Sequence, residues 1–255
     1  MGVTNARELA DAADATPGFA ANGYCLHQLF DQQARRTPDE TALIFEHQRL
    51  TYAQLQARAD TLASYLSAVG VRPGVLVGLF VERSLEMVLG ILGILKTGGA
   101  YLPINPSCLP EQIAFMLDDA RVPLLLTQYS LLSRVPASDT PAVCLESFDR
   151  TEYSEPARRD FVVTPEDIAC VVYSGGSTER PSGIEHGNIV NRVLGAVRRQ
   201  QLKPGMHHAT ASTIAADLGS TVIFPALVTG GCLHVVAQKQ AVDQASGSAW
   251  TVSAR

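Results

Sequence analysis

Apolar residues recur along the chain at two alternating spacings from Leu26 onwards. Where they return about every three or four positions, as at Leu26, Leu29 and Phe30, the pattern predicts a helix with one buried face. Where nearly every position is apolar over a short run, the pattern predicts a buried strand. The predicted helices are 26–36, 51–69, 85–96, 111–120, 188–200 and 220–228, and the predicted strands are 41–46, 75–81, 100–104, 123–128, 142–145, 167–174, 209–213 and 232–237.

Most of the predicted strands are apolar at consecutive positions and therefore need cover on both faces. Parallel sheets flanked by helices have this property. The sequence thus predicts an α/β fold with largely parallel sheets between helices. We interpret residues 1–22 as a leader or linker, 23–240 as the domain, and 241–255 as an unpatterned tail at which the chain looks cut short.

Composition and charge exclude several classes of function. The 255 residues are 46% hydrophobic and carry 20 lysines and arginines against 25 aspartates and glutamates, a formal charge of -5. Since no basic cluster is present, nucleic acid is not an expected partner. The longest charge-free apolar stretch, 87–95, is too short to cross a membrane. Five scattered cysteines indicate reduced thiols, so we expect a cytoplasmic protein without membrane contact.

The candidate chemistry lies in a loop that reads SGGSTERPSG over residues 174–183 and follows a predicted buried strand. Glycines leave backbone N–H groups free to converge, and short hydroxyl side chains add donors, so the loop suits a polyphosphate. It matches neither GxxxxGK[ST] nor GxGxxG, and it lacks the last glycine of the GxSxG hydrolase elbow. The alternative is a simple turn, because turns favour the same residues.

Four stretches in order carry a resemblance to a known family. They are LTYAQL at 50–55, LKTGGAYLPINP at 95–106, the loop at 174–183, and Ala216-Asp217 followed by IFPAL at 223–227 and Gly230-Gly231. Over about residues 24–240 the chain resembles the N-terminal portion of an amino-acid adenylation domain of non-ribosomal peptide synthetases, in the adenylate-forming superfamily. The resemblance implies an incomplete N-terminal subdomain of the adenylate-forming fold.

The resemblance also implies a reaction with its cofactors and partners. The carboxylate of an amino acid attacks the α-phosphate of ATP, with Mg²⁺ present, to give aminoacyl-AMP and pyrophosphate. The acyl group then passes to a phosphopantetheine thiol on a carrier protein, within a synthetase that also contains condensation domains. The residues that would hold the β and γ phosphates are Ser174, Gly175, Gly176, Ser177 and Thr178.

By the same resemblance, Asp217 would bind the α-ammonium group of the substrate. A charge-assisted hydrogen bond of this kind contributes about 1.5–3 kcal/mol. The alternative is that Asp217 caps the following helix, and the two roles are compatible. The family usually has an aromatic residue before this aspartate, so Ala216 changes the expected shape of the pocket.

The loop departs from the family pattern at three places, each unfavourable for ATP. Glu179 stands where the family has glycine and Ser182 where it has lysine, while Arg180 keeps one positive charge. Two residues of the family pattern are missing between Gly183 and Glu185. Because each nearby charge is worth about 1 kcal/mol or more, we expect weak or absent ATP binding.

No catalytic residue is assigned, since the catalytic lysine and later motifs of the family are not found after Asp217. We therefore expect the isolated chain not to complete the reaction. Two interpretations remain open: a part of a larger adenylating unit, and a non-catalytic remnant or interaction module. A serine hydrolase using Ser174 or Ser177 is a poor third, because neither serine lies in an elbow motif.

Three further sites receive structural interpretations. His186 is interpreted as a solvent-exposed or capping residue after a turn. His207 and His208 have no third ligand at helix or strand spacing, so no metal site is predicted. Lys96 is interpreted as part of a helix C-terminus, where the helix dipole favours a cation.

Overall fold

The computed structural model describes residues 23–147, 161–173, 181–217 and 221–237, with the backbone alone at 147, 216 and 217. The helices are α1 (Leu26–Arg36), α2 (Tyr52–Ala68), α3 (Leu85–Lys96), α4 (Pro110–Asp119), α5 (His186–Gln200), α6 (Ile214–Asp217) and α7 (Ile223–Thr229). The strands are β1 (Thr41–Phe45), β2 (Gln48–Thr51), β3 (Leu76–Phe80), β4 (Ala100–Ile104), β5 (Leu125–Thr127), β6 (Ala142–Cys144), β7 (Ile168–Tyr173), β8 (Pro181–Glu185), β9 (His207–Thr210) and β10 (Cys232–Val235).

The larger sheet has the strand order β6-β5-β3-β4-β7-β8. All of its neighbours pair in parallel except β8, which is antiparallel to β7. Its two faces belong to different cores: Val77 and Leu79 of β3 lie in one cluster, whereas Leu76 and Phe80 lie in the other. Helix α3 packs on the first face and α4 on the second, so the predicted cover on both faces is confirmed.

The smaller sheet has the strand order β2-β1-β10-β9 and is parallel except for β2. Its inner face contributes Leu43, Leu50 and Leu233 to the same core as α1, α2 and α7. The outer face is different, because Arg49 and His207 on it are exposed to solvent. No helix in the described ranges has the length and hydropathy needed to cross a bilayer.

The predicted α/β class is confirmed, and α3 and β4 lie at their predicted bounds. The sequence pattern missed the two antiparallel strands, β2 and β8. Strand β2 reads QRLT and has only one fully buried position, so it carries no apolar run to detect. The boundaries proposed at residues 22 and 240 remain predictions, since residues 1–22 and 241–255 lie outside the described residues.

A tyrosine in the LTYAQL stretch joins distant parts of the chain. The hydroxyl of Tyr52, at the start of α2, donates a hydrogen bond to the carbonyl oxygen of Gly231 at 2.8 Å. The same hydroxyl oxygen lies 3.2 Å from the carbonyl oxygen of Leu227, near the end of α7. Tyr52 is fully buried, and the hydrogen bond to Gly231 gives its hydroxyl proton the acceptor that a buried donor needs.

The cation of Lys96 is the main electrostatic feature of the helical layer. Helix α3 ends at Lys96, and Gly98 has a φ of 73°, as expected for a helix C-terminus. The side chain of Lys96 is 1% exposed, however, and its Nζ donates to Asp31 of α1 and, at 2.8 Å, to Asp60 of α2. The interpretation of Lys96 as a cation held by the helix dipole is therefore incomplete, because two carboxylates neutralise it.

Replacing Lys96 with methionine should destabilise the fold by about 3 kcal/mol, because the substitution leaves Asp31 and Asp60 as neighbouring carboxylates without their cation. The cost is at the lower end for a buried pair, since Asp60 is 46% exposed and can be hydrated. The measurement is the free energy of unfolding by urea. Lys203→Met, at an exposed lysine, is the control and should change it little. Equal effects of the two substitutions would contradict the assignment.

Candidate functional site

The strand order of the larger sheet defines a crevice at its carboxyl edge. Strand β3 lies between β4 and β5, and the chain passes from β3 to β4 through α3 and from β4 to β5 through α4. Because α3 and α4 cover opposite faces, the segments that leave β3 and β4 diverge. Such a switch point is where open α/β sheets usually bind ligands.

A cavity of about 300 Å³ occupies this crevice. Its charged side chains are two arginines, Arg83 and Arg134, and one carboxylate, Glu82. Arg83 is buried, and burial lowers the pKa of its guanidinium while Glu82 raises it. The balance of charge favours an anionic ligand. The other lining residues are Val81, Met87, Asn105, Pro106, Ser107, Thr213 and Ile214.

Polar side chains fix the backbone around the crevice. The side-chain oxygen of Gln128, directly after β5, accepts a hydrogen bond from the backbone N–H of Glu82 at 2.7 Å. The amide nitrogen of Gln128 donates to the hydroxyl of Ser84 at 3.2 Å, and that hydroxyl caps α3 by accepting from the N–H of Met87. The ends of β3 and β5 and the start of α3 are thus held together by one buried glutamine.

The predicted phosphate loop joins two paired strands at this same edge. Strand β7 lies beside β4, and Tyr173 at its carboxyl end pairs with Pro181 at the start of β8. The hydroxyl of Tyr173 donates to Asp119 of α4 at 2.7 Å, which holds the strand end against the helix. The predicted phosphate-binding residues lie outside the described residues, as do Glu179 and Arg180: they are Ser174, Gly175, Gly176, Ser177 and Thr178.

The β7–β8 hairpin leads directly into helix α5. Ser182 pairs with Val172, and β8 continues to Glu185 and passes into α5 at His186 without a connecting residue. The register between β7 and β8 shifts between Ile168 and Cys170, opposite this junction. Residues 181–185, which the sequence pattern places in a loop, therefore form a strand. Helix α5 begins at His186, two residues before its predicted start at residue 188.

His186 is buried, so its interpretation as a solvent-exposed residue is wrong. Its side chain has 0% exposure, and its Nδ1 accepts a hydrogen bond from the backbone N–H of Leu26 at 3.3 Å. Burial lowers the pKa of His186 to about 4, although Asp167 opposes this shift. The ring is therefore neutral at pH 7 and joins the end of the hairpin to the start of α1.

The second predicted contact residue, Asp217, ends α6. This helix packs against β4, and its first residue, Ile214, lines the crevice together with Thr213. The backbone of α6 is therefore at the same edge as the hairpin. The side chain of Asp217 lies outside what the structure describes, so its two proposed roles remain predictions.

The absence of a third ligand at helix or strand spacing does not decide which side chains lie near His207 in the fold. A third ligand is not near in sequence spacing, but the pairing of β9 with β10 brings Cys232 and His234 next to His207. His208, by contrast, alternates to the other face of the sheet. None of these three residues lines the crevice, so the cluster is a separate feature on the smaller sheet.

Sequence comparisons match most of the chain to one protein family. The profile of a family described as AMP-binding enzyme matches residues 30–252. A linear gramicidin synthase of Brevibacillus parabrevis is 38% identical over 216 residues, which is 84% of this chain and 4% of that protein. Bacitracin synthase 1 of Bacillus licheniformis is 34% identical over 239 residues, or 93% of this chain and 4% of that protein. The chain thus spans a small part of these relatives.

Solved structures show the same fold. A nonribosomal peptide synthetase, FmoA3, in its alpha-methyl-L-serine-AMP bound form has a TM-score of 0.78 and 30% identity, covering 90% of this chain and 25% of that chain. The N-terminal subdomain of Klebsiella oxytoca NpsA has a TM-score of 0.76 at 23% identity, covering 88% of this chain and 56% of that chain. The fold is that of the N-terminal subdomain of adenylate-forming domains.

The chain belongs to the AMP-binding enzyme family, and the resemblance to the N-terminal portion of synthetase adenylation domains is confirmed.

The depressed pKa of His186 predicts a pH dependence of stability. The folded pKa of about 4 lies below the ordinary value of 6.5, so the unfolded chain binds the proton more readily. Acidification from about pH 6.5 towards about pH 4 should therefore destabilise the fold by up to about 1.4 kcal/mol per pH unit through this residue. Above pH 6.5 the residue should contribute no pH dependence.

The test compares urea unfolding of the wild-type chain and His186→Gln at a series of pH values. The variant should lose part of the acid destabilisation, whereas His47→Gln, at an exposed histidine, should retain it. Parallel pH profiles for the wild type and His186→Gln would show that His186 titrates normally.

Proposed function

We propose that this chain forms the part of an amino-acid adenylation unit that binds the phosphates of ATP and the ammonium group of the substrate. In that reaction a carboxylate oxygen of the amino acid bonds to the α-phosphorus of ATP, and the bond to the pyrophosphate leaving group breaks. The products are aminoacyl-AMP and pyrophosphate. The acyl group would then move to the phosphopantetheine thiol of a carrier domain, in a synthetase that also contains condensation domains.

The observation that supports the proposal is that the elements flanking both candidate regions meet at the carboxyl edge of the larger sheet. Strand β7 lies beside β4, and residues 174–180 join its carboxyl end to β8. Helix α6, which ends at Asp217, also packs against β4. The crevice between β3 and β4 opens at the same edge. A nucleotide and an amino acid that react with each other must be bound close together and in the correct orientation, which binding groups at one edge of a sheet permit.

The charges of the crevice support an anionic ligand. Arg83 and Arg134 outnumber Glu82 among its charged residues, so the cavity suits phosphate or carboxylate better than a bare cation. Mg²⁺ would therefore enter together with the phosphates, whose charge it neutralises when bound. The contribution of the chain is to orient the nucleophile and the phosphates in line, which is the main protein contribution to phosphoryl transfer.

The proposed role of Asp217 determines the substrate class. A carboxylate that pairs with the α-ammonium group distinguishes an amino acid from a plain carboxylic acid by about 1.5–3 kcal/mol. The bound alpha-methyl-L-serine-AMP of FmoA3 is an aminoacyl adenylate, and this supports an amino acid as the substrate class here.

One feature favours a second candidate, a non-catalytic binding or interaction module. Glu179 and Ser182 together make the phosphate loop two charge units less positive than glycine and lysine at those positions. We propose on this basis that the 255-residue chain binds ATP weakly and does not complete adenylation by itself. Both candidates share the same ancestry, so they differ only in measured nucleotide binding and turnover.

The double substitution Glu179→Gly/Ser182→Lys should strengthen binding of Mg-ATP, because it removes a repulsive carboxylate and adds a cation near the phosphates. At about 1 kcal/mol for each charge, Kd should fall by about 30-fold. The measurement is calorimetric titration of the wild-type and variant chains. The charge-matched control, Ala137→Lys/Asp139→Gly, lies before β6 at the amino edge and should leave Kd unchanged.

A tight Kd for the wild-type chain would show that Glu179 and Ser182 are tolerated. An equal gain in the control would show that net charge alone, and no site at residues 174–182, determines ATP binding.

Exchange of labelled pyrophosphate into ATP, with pools of amino acids, should remain at background for the 255-residue chain. The physical reason is that no candidate catalytic lysine follows Asp217 in these residues to stabilise the charge that develops at the α-phosphate. Amino-acid-dependent exchange above background would refute the proposal that the chain does not complete adenylation by itself. In that case Asp217→Ala should abolish the exchange if Asp217 binds the ammonium group, while an effect on folding alone would indicate the capping role.

A further inference from the structure

The outer face of the smaller sheet brings together three side chains that can ligate a metal. In the parallel pairing of β9 with β10, His207 lies opposite Cys232 and Ala209 lies opposite His234. Since alternate residues of a strand share a face, Cys232 and His234 lie on the same face as His207. This placement depends on the register, and a shift by one residue would separate the three side chains.

The distances between the ligand atoms fit one ion. His207 Nδ1 and His234 Nε2 are 2.7 Å apart, and Cys232 Sγ is 3.8 Å from His234 Nε2. All three atoms lie within 4.8 Å of one another. In a tetrahedral zinc site, bonds of about 2.1 Å to nitrogen and 2.3 Å to sulfur separate the ligand atoms by about 3.3–3.6 Å. Binding would therefore move the two imidazole nitrogens apart by about 0.7 Å and replace their hydrogen bond.

A metal would have to displace the thiol proton of Cys232, because the thiolate is the form that binds metals. A neighbouring cation also opposes binding. Arg49 of β2 lies opposite Ile44 of β1, which in turn lies opposite His234. Its positive charge repels a bound cation and therefore limits the affinity of the site for a metal ion.

We propose that His207, Cys232 and His234 form a zinc-binding site on the edge of the smaller sheet. His207 would bind through Nδ1, His234 through Nε2 and Cys232 as a thiolate, with the thiol proton released to solvent. Three nitrogen and sulfur ligands leave a fourth position for water. The site is separate from the proposed nucleotide crevice, and its bound ion would join the edge strand β9 to β10 through side chains in addition to the backbone.

The test uses the full 255-residue chain and Co²⁺ as a spectroscopic substitute for Zn²⁺. The expected result is binding of one Co²⁺ per chain, with a thiolate-to-cobalt charge-transfer band and the visible bands of tetrahedral cobalt. Zn²⁺ should displace the cobalt and abolish these bands. Binding to the folded state alone should also raise Tm with increasing Zn²⁺.

Two ligand variants and two matched controls locate the site. Cys232→Ser should remove the charge-transfer band, and His207→Gln should raise the Kd for Zn²⁺ by about tenfold or more. The same changes elsewhere, Cys108→Ser and His47→Gln, should leave both measurements unchanged. Folding of each variant is checked by circular dichroism.

The exposed position of His207 keeps the proposal testable if Cys232→Ser does not fold. In the wild-type chain, Zn²⁺ should then shift the imidazole nitrogen resonances of His207 and His234 but leave that of His47 unchanged. A wild-type chain without a thiolate band at a large excess of Co²⁺, or a Kd for Zn²⁺ that is unaffected by His207→Gln, would overturn the proposal.

Discussion

A buried ammonium group must have carboxylates beside it, and in this protein that requirement determines how the helices are arranged. Lys96 ends α3, while its partners Asp31 and Asp60 come from α1 and α2. Helix α3 is also the connection between β3 and β4, whose carboxyl ends form the crevice. The ion cluster therefore fixes the helix that sets the two sides of the candidate site. Removing one partner of a buried ion pair is strongly destabilising, because it leaves an uncompensated charge.

The crevice is a consequence of chain topology. Connections from β3 and β4 that leave towards opposite faces must part at the carboxyl edge, and neither α3 nor α4 covers the gap between them. Buried polar side chains then give this gap a defined shape, as Gln128 does by binding both Glu82 and Ser84. The β7–β8 hairpin ends at the same edge because β7 is parallel to β4.

Two side chains, Tyr52 and His186, make hydrogen bonds between segments that are distant in sequence. Tyr52 belongs to a family pattern, but its role becomes clear only when the structure places its hydroxyl on the carbonyl of Gly231. Gly231 belongs to another of the four stretches that carry the resemblance, so two motifs distant in sequence meet through one hydrogen bond. His186 similarly links the hairpin to α1 through Leu26. Such contacts connect residues that have no periodic relation, so neither hydropathy nor spacing can predict them.

The sequence by itself determined the α/β class, most of the helix and strand positions, and the identity of the phosphate-loop and Asp217 candidates. Those features are local: apolar period, capping residues and short motifs depend on neighbours along the chain. Only the tertiary structure decided that β2 and β8 run antiparallel, that Lys96 and His186 are buried, and that His207 meets Cys232 and His234. These features depend on strand order and register, which arise from packing between distant segments, and a one-residue change of register would alter every one of the cross-strand contacts.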